Sequence, residues 1–563
     1  MRRNPIVPIV PAIAAALLAL AGSAHAAEGE RLLTAARIHT SDAATPLATA
    51  MVWDADGRIL AVGDVDELLA RHADAERIDA GDATVVPGLI DAHAHLVGLG
   101  QALMQADLVG ARSTGEIVER LQAFARDLPK DAWLMGRGWD QNLWPEKAFP
   151  TAAVLDAAFP DRPVVLERVD GHATWANSAA MRAVERDLSG DWQPDGGLIL
   201  REDGRATGVF IDTASRLVYA PAPEPDAAWQ DRAMERALRH VAALGMTGVH
   251  DMGTSRGGLE VMKRFADRGA LSLRVRAYAQ RDSGLVDDLC SDGRYSHPSG
   301  RLDMGGVKLM IDGALGSRGA ALIEDYSDDP GNRGLLIQDE DAFAAAVRRA
   351  RDCGLQVATH AIGDRGNRIV LDTYERVLGD AASGDHRWRV EHAQVMAPGD
   401  IARFGGLKLV ASMQPTHATS DMPWAGERLG EERLAGAYAW RSFVEAGVPL
   451  ALGSDFPVEF ADPRLGLLAA VTRQDVDGQP PGGWLPDQVL TAAEALHGFT
   501  AGAAWAAFDE DGTGRLAPGL RADFVILGED PLAVPGSELD TLTVRSTWLD
   551  GETVYEANTA PTP

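Results

Sequence analysis

Cysteine is nearly absent from this chain, which has only Cys290 and Cys353 among 563 residues. The two lie far apart, and neither belongs to a closely spaced pair of the kind that binds zinc through thiolates. This excludes a thiolate metal centre, so any metal must be held by other side chains. We predict that both thiols are buried and free, although an oxidising compartment would allow a disulfide.

Positive charge is also scarce, since 53 Lys and Arg face 82 Asp and Glu and give a formal net charge of −29. Without residues 1–26 the chain would keep 51 basic and 82 acidic residues, a net charge of −31. Such a chain is repelled by nucleic acid and by anionic lipid. We therefore expect no nucleic-acid partner. The charge says little about the substrate, which we expect to be a small molecule, and homo-oligomerisation stays open.

Long apolar runs are few, and the clearest one lies at the N-terminus. Residues 6–22 are uncharged and mostly apolar, they follow Arg2 and Arg3, and Ala24-His25-Ala26 supplies an A-x-A cleavage signal. The run is short and interrupted by proline, which disfavours a membrane span. We predict a signal peptide over 1–26 with cleavage near Ala26, an exported periplasmic protein, and no stable membrane anchor after cleavage. An uncleaved anchor is the alternative.

Short strand signals occupy both ends of the chain, in 27–86 and 508–563, and predict one small β-sandwich built from the two ends. Between them, 87–507 alternates strand and helix signals, which indicates an α/β fold of the (β/α)8 TIM-barrel type. The stretch 101–230 after the first strand is too long for a loop and predicts an inserted subdomain. The eight strand signals cover 85–93, 246–253, 271–279, 305–311, 355–360, 387–392, 408–414 and 449–455.

Residues that bind metals or move protons recur where these strands end, and they are His93, His95, Lys308, His360, His392 and Asp455. The C-terminal ends of barrel strands meet at one mouth, so we expect these side chains to converge there. Imidazoles and carboxylates suit Zn²⁺. An isolated His-x-His pair is more often structural, and the later residues favour a metal site.

Lys308 and Asp455 admit two interpretations each. Lys308 either forms an ion pair with Asp312 or reacts with CO₂ to give a carbamate that bridges two metal ions. Asp455 either stabilises an Asx turn or contacts the ion, takes a proton from water and passes it to the leaving amine. We favour the metal-site interpretation of both, with one or two Zn²⁺ ions.

The chain resembles the amidohydrolase superfamily in PGLIDAHAH, VKLMIDGALGSRGA, ATHAIGD, VEHAQ and GSDFPVE. GRGWDQNLWP, DGHATWANSAAM, ASMQPTH and AAVTRQD resemble its YtcJ-like branch, amidohydrolase family 3, which includes N-substituted formamide deformylases. The resemblance implies a distorted (β/α)8 barrel with zinc. It also implies four histidine ligands, a carboxylated Lys308 and Asp455 as acid and base.

The inserted subdomain and the loop after the seventh strand are predicted to shape the substrate pocket, with these candidates: Trp139, Trp144, His172, Trp175, Asn177, Arg318, Gln414 and His417. Core packing explains the tryptophans equally well, local turns explain His172 and Asn177, and an ion pair explains Arg318.

The leading functional hypothesis is hydrolysis of an amide or N-formyl C–N bond. Asp455 would move the proton, and a histidine, with His360 as our candidate, would help stabilise the oxyanion. Ester or lactone hydrolysis is the first alternative. An exported metal-binding or small-molecule-binding protein without catalysis is the second.

Overall fold

The computed structural model describes residues 29–130, 132–169, 171, 173–194, 197–223 and 226–557. The predicted signal peptide and His172 lie outside these residues. The first described segment contains a set of short strands and one helix: β1 (Arg31–His39), β2 (Leu47–Trp53), β3 (Ile59–Gly63), α1 (Val65–Arg71), β4 (Glu76–Asp79) and β5 (Thr84–Pro87).

The next strand begins the barrel and is followed by a segment that forms a sheet of its own. The barrel begins with β6 (Leu89–Ala94) and α2 (Leu96–Ala102). The inserted segment then contains β7 (Ala106–Asp107), α3 (Thr114–Phe124), β8 (Leu134–Trp139), α4 (Ala152–Ala158), β9 (Val164–Arg168), β10 (Ala173–Ala176), α5 (Ser178–Arg182), β11 (Gly197–Glu202), β12 (Arg205–Asp212) and α6 (Arg216–Tyr219). Its strands form a six-stranded sheet in the order β11-β12-β10-β9-β8-β7.

The chain then completes the barrel, as the alternating strand and helix signals predict. The elements are α7 (Ala227–Ala243), β13 (Met246–Thr254), α8 (Arg256–Asp267), β14 (Arg274–Gln280), α9 (Leu285–Asp292), β15 (Tyr295–Ser296), β16 (Leu302–Met310), α10 (Glu340–Asp352), β17 (Gln356–Ala361), α11 (Asp364–Leu378), β18 (Arg389–His392), α12 (Ile401–Gly406), β19 (Val410–Met413), α13 (Pro415–Asp421), α14 (Ala425–Leu429), α15 (Glu431–Leu434), α16 (Trp440–Glu445), β20 (Leu450–Leu452), α17 (Pro463–Thr472), α18 (Ala492–Gly498) and α19 (Ala501–Ala506).

Eight parallel strands form the barrel sheet in the order β6-β13-β14-β16-β17-β18-β19-β20, which confirms the predicted fold class. The two end strands meet beyond β20, where the N–H of Asp455 donates to the carbonyl of His93 (2.7 Å) and the N–H of His95 donates to that of Phe456 (2.9 Å). Gly453 permits this approach, because a Cβ there would lie 2.5 Å from a carboxylate oxygen of Asp91 and from the N–H of His93. Barrel closure therefore brings His93, His95 and Asp455 together.

The barrel helices follow from local sequence signals, as α10 illustrates. Asp339 precedes the helix and its carboxylate accepts from the N–H of Ala342, which satisfies one free donor of the first turn. Phe343 and Val347, four residues apart, lie on one face of the helix and are buried. The same periodicity in the other barrel helices buries one stripe of each helix.

Both chain ends contribute to one further sheet. The C-terminal strands are β21 (Phe524–Leu527), β22 (Val544–Leu549) and β23 (Glu552–Glu556). They join the N-terminal strands in the order β23-β22-β21-β5-β1-β2-β3, with β4 beside β1, through antiparallel pairing of β21 with β5. Among the residues that the structure describes, no helix is both long and apolar enough to cross a membrane.

The two cysteines form a disulfide, so the prediction of free thiols is wrong. Cys290 lies in α9 and Cys353 follows the last residue of α10, and their Cα atoms are 4.9 Å apart. α9 precedes and α10 follows the strand that carries Lys308, and an ion pair between Asp287 of α9 and Arg349 of α10 also joins the two helices. A separation of 63 residues in sequence hides this proximity.

Candidate metal centre

The barrel mouth holds a compact group of two histidines and one carboxylate. Oδ1 of Asp455 lies 3.0 Å from Nε2 of His95 and 3.5 Å from Nε2 of His93. Although burial favours the neutral acid, His93 and His95 hold the pKa of Asp455 well below its usual range. The carboxylate is therefore ionised and faces two imidazoles.

His360 and His392 extend this group across the mouth. The ring centroids of His360 and His392 are 4.5 Å apart, and those of His93 and His392 are 4.8 Å apart. Burial and Lys308 lower the pKa of His93 to about 4 and that of His360 to about 3, so both imidazoles are neutral at neutral pH. Neutral imidazole is the form that binds metals.

Lys308 lies inside the same group. Its Nζ is 2.9 Å from Nε2 of His93, and burial lowers its pKa to about 8 against the opposing effect of Glu391 and Asp455. Asp312, the alternative ion-pair partner, instead accepts hydrogen bonds from the backbone N–H groups of Ala321, Ile362 and Gly363. One of its oxygens also lies 3.8 Å from Nε2 of His360.

A fully buried ion pair between Arg389 and Glu391 contacts His93. The Oε2 of Glu391 is 2.7 Å from Nδ1 of His93, and Arg389 donates to both carboxylate oxygens of Glu391. Burial opposes ionisation, yet Arg389 and His93 hold the pKa of Glu391 well below its usual range. Arg389 also donates into four other barrel strands, to Nδ1 of His250, the carbonyl of Ala92 and the hydroxyls of Ser412 and Tyr278.

Asp91 fixes the two strands at the barrel closure relative to each other. Its carboxylate accepts from the N–H of His93 (3.0 Å) and from both the N–H and the hydroxyl of Ser454. Because Ser454 precedes Asp455, this carboxylate sets the spacing between the first histidine and the catalytic candidate. Burial raises the pKa of Asp91 to about 7.

Two site residues adopt left-handed backbone conformations, His392 with φ of 72° and Asp455 with φ of 63°. Residues with a Cβ rarely adopt this backbone conformation, and strained conformations of this kind cluster at functional sites. His392 is the last residue of β18, and Asp455 comes shortly after the end of β20.

Of the residues predicted to bind substrate, some lie near the barrel mouth and others lie in the inserted segment or in surface loops. Gln414 follows β19 and is buried, and His417 lies in α13 with its ring stacked on that of His392 at 5.6 Å. Nε2 of His417 is 3.8 Å from Oδ2 of Asp455 and 4.0 Å from Oε1 of Glu459. The structure therefore brings His417 to the six predicted site residues.

The tryptophans lie elsewhere, which corrects their assignment to the substrate pocket. Trp139, Trp144 and Trp175 are at most 4% exposed, and their indole N–H groups donate to backbone carbonyls of the insert. They form the core of the insert because their large apolar rings pack against one another.

Asn177 and Arg318 also have local structural partners. The side chain of Asn177 accepts from the N–H of Ala180 at the start of α5 and donates to the carbonyl of Phe159. Arg318 forms an ion pair with Asp328 at 2.7 Å. The turn and ion-pair interpretations therefore describe these two residues.

Sequence reasoning missed Asp91, Arg389 and Glu391. Each is a charged residue inside a fully buried barrel strand, two positions from another polar residue, as in Asp91 and His93 or Arg389 and Glu391. Residues at this spacing share one face of a strand. A charged pair on the interior face of a buried strand is the signal that could have identified them.

Comparison with known proteins agrees with this site. The family model described as "Amidohydrolase family" matches residues 76–555. The chain belongs to the amidohydrolase family. This amidohydrolase is 33% identical to the protein YtcJ of Bacillus subtilis over 90% of its own length and 96% of that protein. It is 29% identical to the N-substituted formamide deformylase of Arthrobacter pascens, over 92% of its own length and 97% of that protein.

A solved metal-dependent hydrolase of Pyrococcus horikoshii superposes on the amidohydrolase with a TM-score of 0.74 at 30% identity. The match covers 90% of this chain and 99% of that one. The resemblance to amidohydrolases stated from the motifs is thus confirmed, and the protein is a metal-dependent hydrolase of this family.

The residues at the mouth fit a divalent cation. Nε2 of His360, Nδ1 of His392 and Nε2 of His417 are buried and have no hydrogen-bond partner within the described ranges. Two groups, His93 with His95 and Asp455, and His392 with His417 and Asp455, each hold three candidate ligand atoms within 4.8 Å of one another. Unsatisfied buried nitrogen atoms are costly, and a bound ion would satisfy them.

Proposed function

We propose that this amidohydrolase is an exported zinc enzyme that hydrolyses a non-peptide C–N bond, in an amide or N-formyl group of a small molecule. The observation that carries the proposal is the ionised carboxylate of Asp455, which contacts His93 and His95 at the mouth of the barrel. The similarity to a formamide deformylase supports the C–N bond. The Cys290–Cys353 disulfide supports an oxidising compartment.

Zinc would be held by His93, His95, His360, His392 and Asp455, and when bound it would supply Lewis-acid activation of water and of the substrate carbonyl. Asp455 accepts the proton of the attacking water at a carboxylate oxygen and returns it to the leaving nitrogen. Glu391 orients His93 through Nδ1, and Asp91 holds the strand of His93 against that of Asp455. His360, as a ligand, would act on the oxyanion only through the ion that it holds.

A panel of matched substrates tests this function. N-formyl amines, N-acetyl amines and esters with the same substituents would be offered to the zinc-loaded protein, with metal-stripped protein as the control. We expect hydrolysis of the amides or formamides, lost on stripping and restored by zinc. Hydrolysis of the esters alone would favour the ester or lactone alternative and contradict the proposal.

Lys308 is proposed to react with CO₂. Its buried amine is neutral more often than that of an exposed lysine, because its pKa is about 8. The nitrogen lone pair forms a bond to the carbon of CO₂ and an N–H proton is released, which leaves a carbamate with two ligand oxygens. This anion would bridge two ions and remove the positive charge beside His93.

Lys308→Ala should therefore weaken the binding of at least one zinc ion by about 10–100-fold or more, the range seen for supporting residues of metal sites. Zinc reconstitution in CO₂-free buffer should restore less activity to the wild type than reconstitution with bicarbonate. Lys263→Ala serves as control, since Lys263 pairs with Glu260 on the outside of α8. A Lys308→Ala enzyme with full activity and two tightly bound ions would contradict the bridging role.

A further inference from the structure

His417 approaches the metal centre from a different direction than the strand-end histidines. The residue lies in α13, which begins directly after Gln414 at the end of β19. Its ring is nearly parallel to that of His392, with 11° between the planes. Its Nε2 faces Oδ2 of Asp455, whereas His93 and His95 face Oδ1.

The two oxygens of Asp455 are thus divided between two sets of imidazoles. One set contains His93 and His95, and the other contains His392 and His417. In each set the candidate ligand atoms are close enough for one ion to contact all three after small side-chain movements, since zinc binds such atoms at about 2.0–2.2 Å. The carboxylate of Asp455 is shared by both sets.

Nε2 of His417 is poorly placed for a contact with substrate alone. The atom is buried and has no hydrogen-bond partner among the described residues, and Nδ1 of His392 shares both properties. A nitrogen that binds substrate should be accessible from the mouth of the barrel, whereas Nε2 of His417 faces the buried carboxylate of Asp455. A cation between His392, His417 and Asp455 would satisfy both nitrogens at once.

We propose that His417 is a metal ligand, and that with His392 and Asp455 it forms the second of two zinc sites that share the Asp455 carboxylate. The inference rests on the proposed zinc-dependent function and extends its ligand set to α13. His417 is then a fifth imidazole at the centre and not a residue that only binds substrate.

Zinc titration of metal-stripped protein tests this inference without any substrate. Isothermal titration calorimetry and elemental analysis would compare the wild type with His417→Ala. We expect two ions in the wild type and a loss of about 100-fold or more in affinity for one of them in the variant, because a direct ligand should matter at least as much as the supporting residues. The exposed His240 on α7 provides the matched control, His240→Gln, which should bind both ions normally.

His417→Glu keeps a donor of similar reach and should recover most of the lost affinity, and X-ray absorption should then count one imidazole fewer per chain than in the wild type. This variant carries the test if circular dichroism shows that His417→Ala is misfolded. Unchanged zinc affinity in both His417 variants, with only a raised KM, would overturn the proposal. Zinc binding that depends on His417 in a protein that hydrolyses no amide would contradict the proposed function and leave this inference standing.

Discussion

Replacing Asp455 with Asn should lower kcat by about 10²–10⁴-fold, the usual contribution of a positioned acid–base group. Asparagine preserves the size of the side chain and one oxygen, so zinc content at saturating zinc should stay near that of the wild type. The amide cannot accept the proton of water at neutral pH. We therefore expect KM to change much less than kcat, which steady-state kinetics on the best amide substrate would show.

The control for this variant is Asp231→Asn on the outer helix α7. Asp231 pairs with Arg264 and Arg268 and is not part of the metal centre, and its replacement by Asn removes the same charge from the protein. It should leave kcat unchanged. A zinc-loaded Asp455→Asn variant that turns over substrate as fast as the wild type would refute the proton-transfer role of Asp455.

The convergence of the candidate ligands at one mouth could be predicted from sequence because barrel geometry is regular. His93, His360 and His392 occur at the ends of apolar runs, and parallel strands bring such ends to one mouth. The partnership between Glu391 and His93 could not be predicted in this way. The two residues are 298 positions apart, and neither spacing nor residue type indicates which histidine a buried glutamate will contact.

The tryptophans and cysteines show a different limit. Trp139 and Trp175 belong to residue types that both cores and binding pockets use, so composition alone does not separate the two roles. Cys290 lies in α9 and Cys353 directly after α10, 63 residues apart in sequence, and they meet because the fold brings these two helices together. A pairing between helices so distant in sequence depends on the tertiary fold and not on a local pattern.

Arg389→Met should lower the free energy of unfolding by about 3–5 kcal/mol, the cost of leaving one member of a buried ion pair without its partner. Arg389 and Glu391 are completely buried, and the guanidinium also donates hydrogen bonds to residues of four other barrel strands. Denaturant unfolding monitored by circular dichroism would measure the loss. Arg473 is equally buried but donates to the backbone carbonyls of Tyr438 and Trp484. Arg473→Met therefore leaves no buried carboxylate without its partner, and it should lower the free energy of unfolding by less.

The double variant Arg389→Met with Glu391→Leu separates stability from the positioning of His93. Replacing both charges by apolar side chains removes the unpaired carboxylate and should recover at least half of the stability lost in Arg389→Met. Zinc affinity should nevertheless stay about 10–100-fold below that of the wild type, because Nδ1 of His93 has lost the carboxylate that fixes its tautomer and orientation. If the double variant bound zinc as tightly as the wild type, Glu391 would serve only to neutralise Arg389. Recovered stability with weak zinc binding would instead identify the buried glutamate as the group that holds the first histidine in place for the ion.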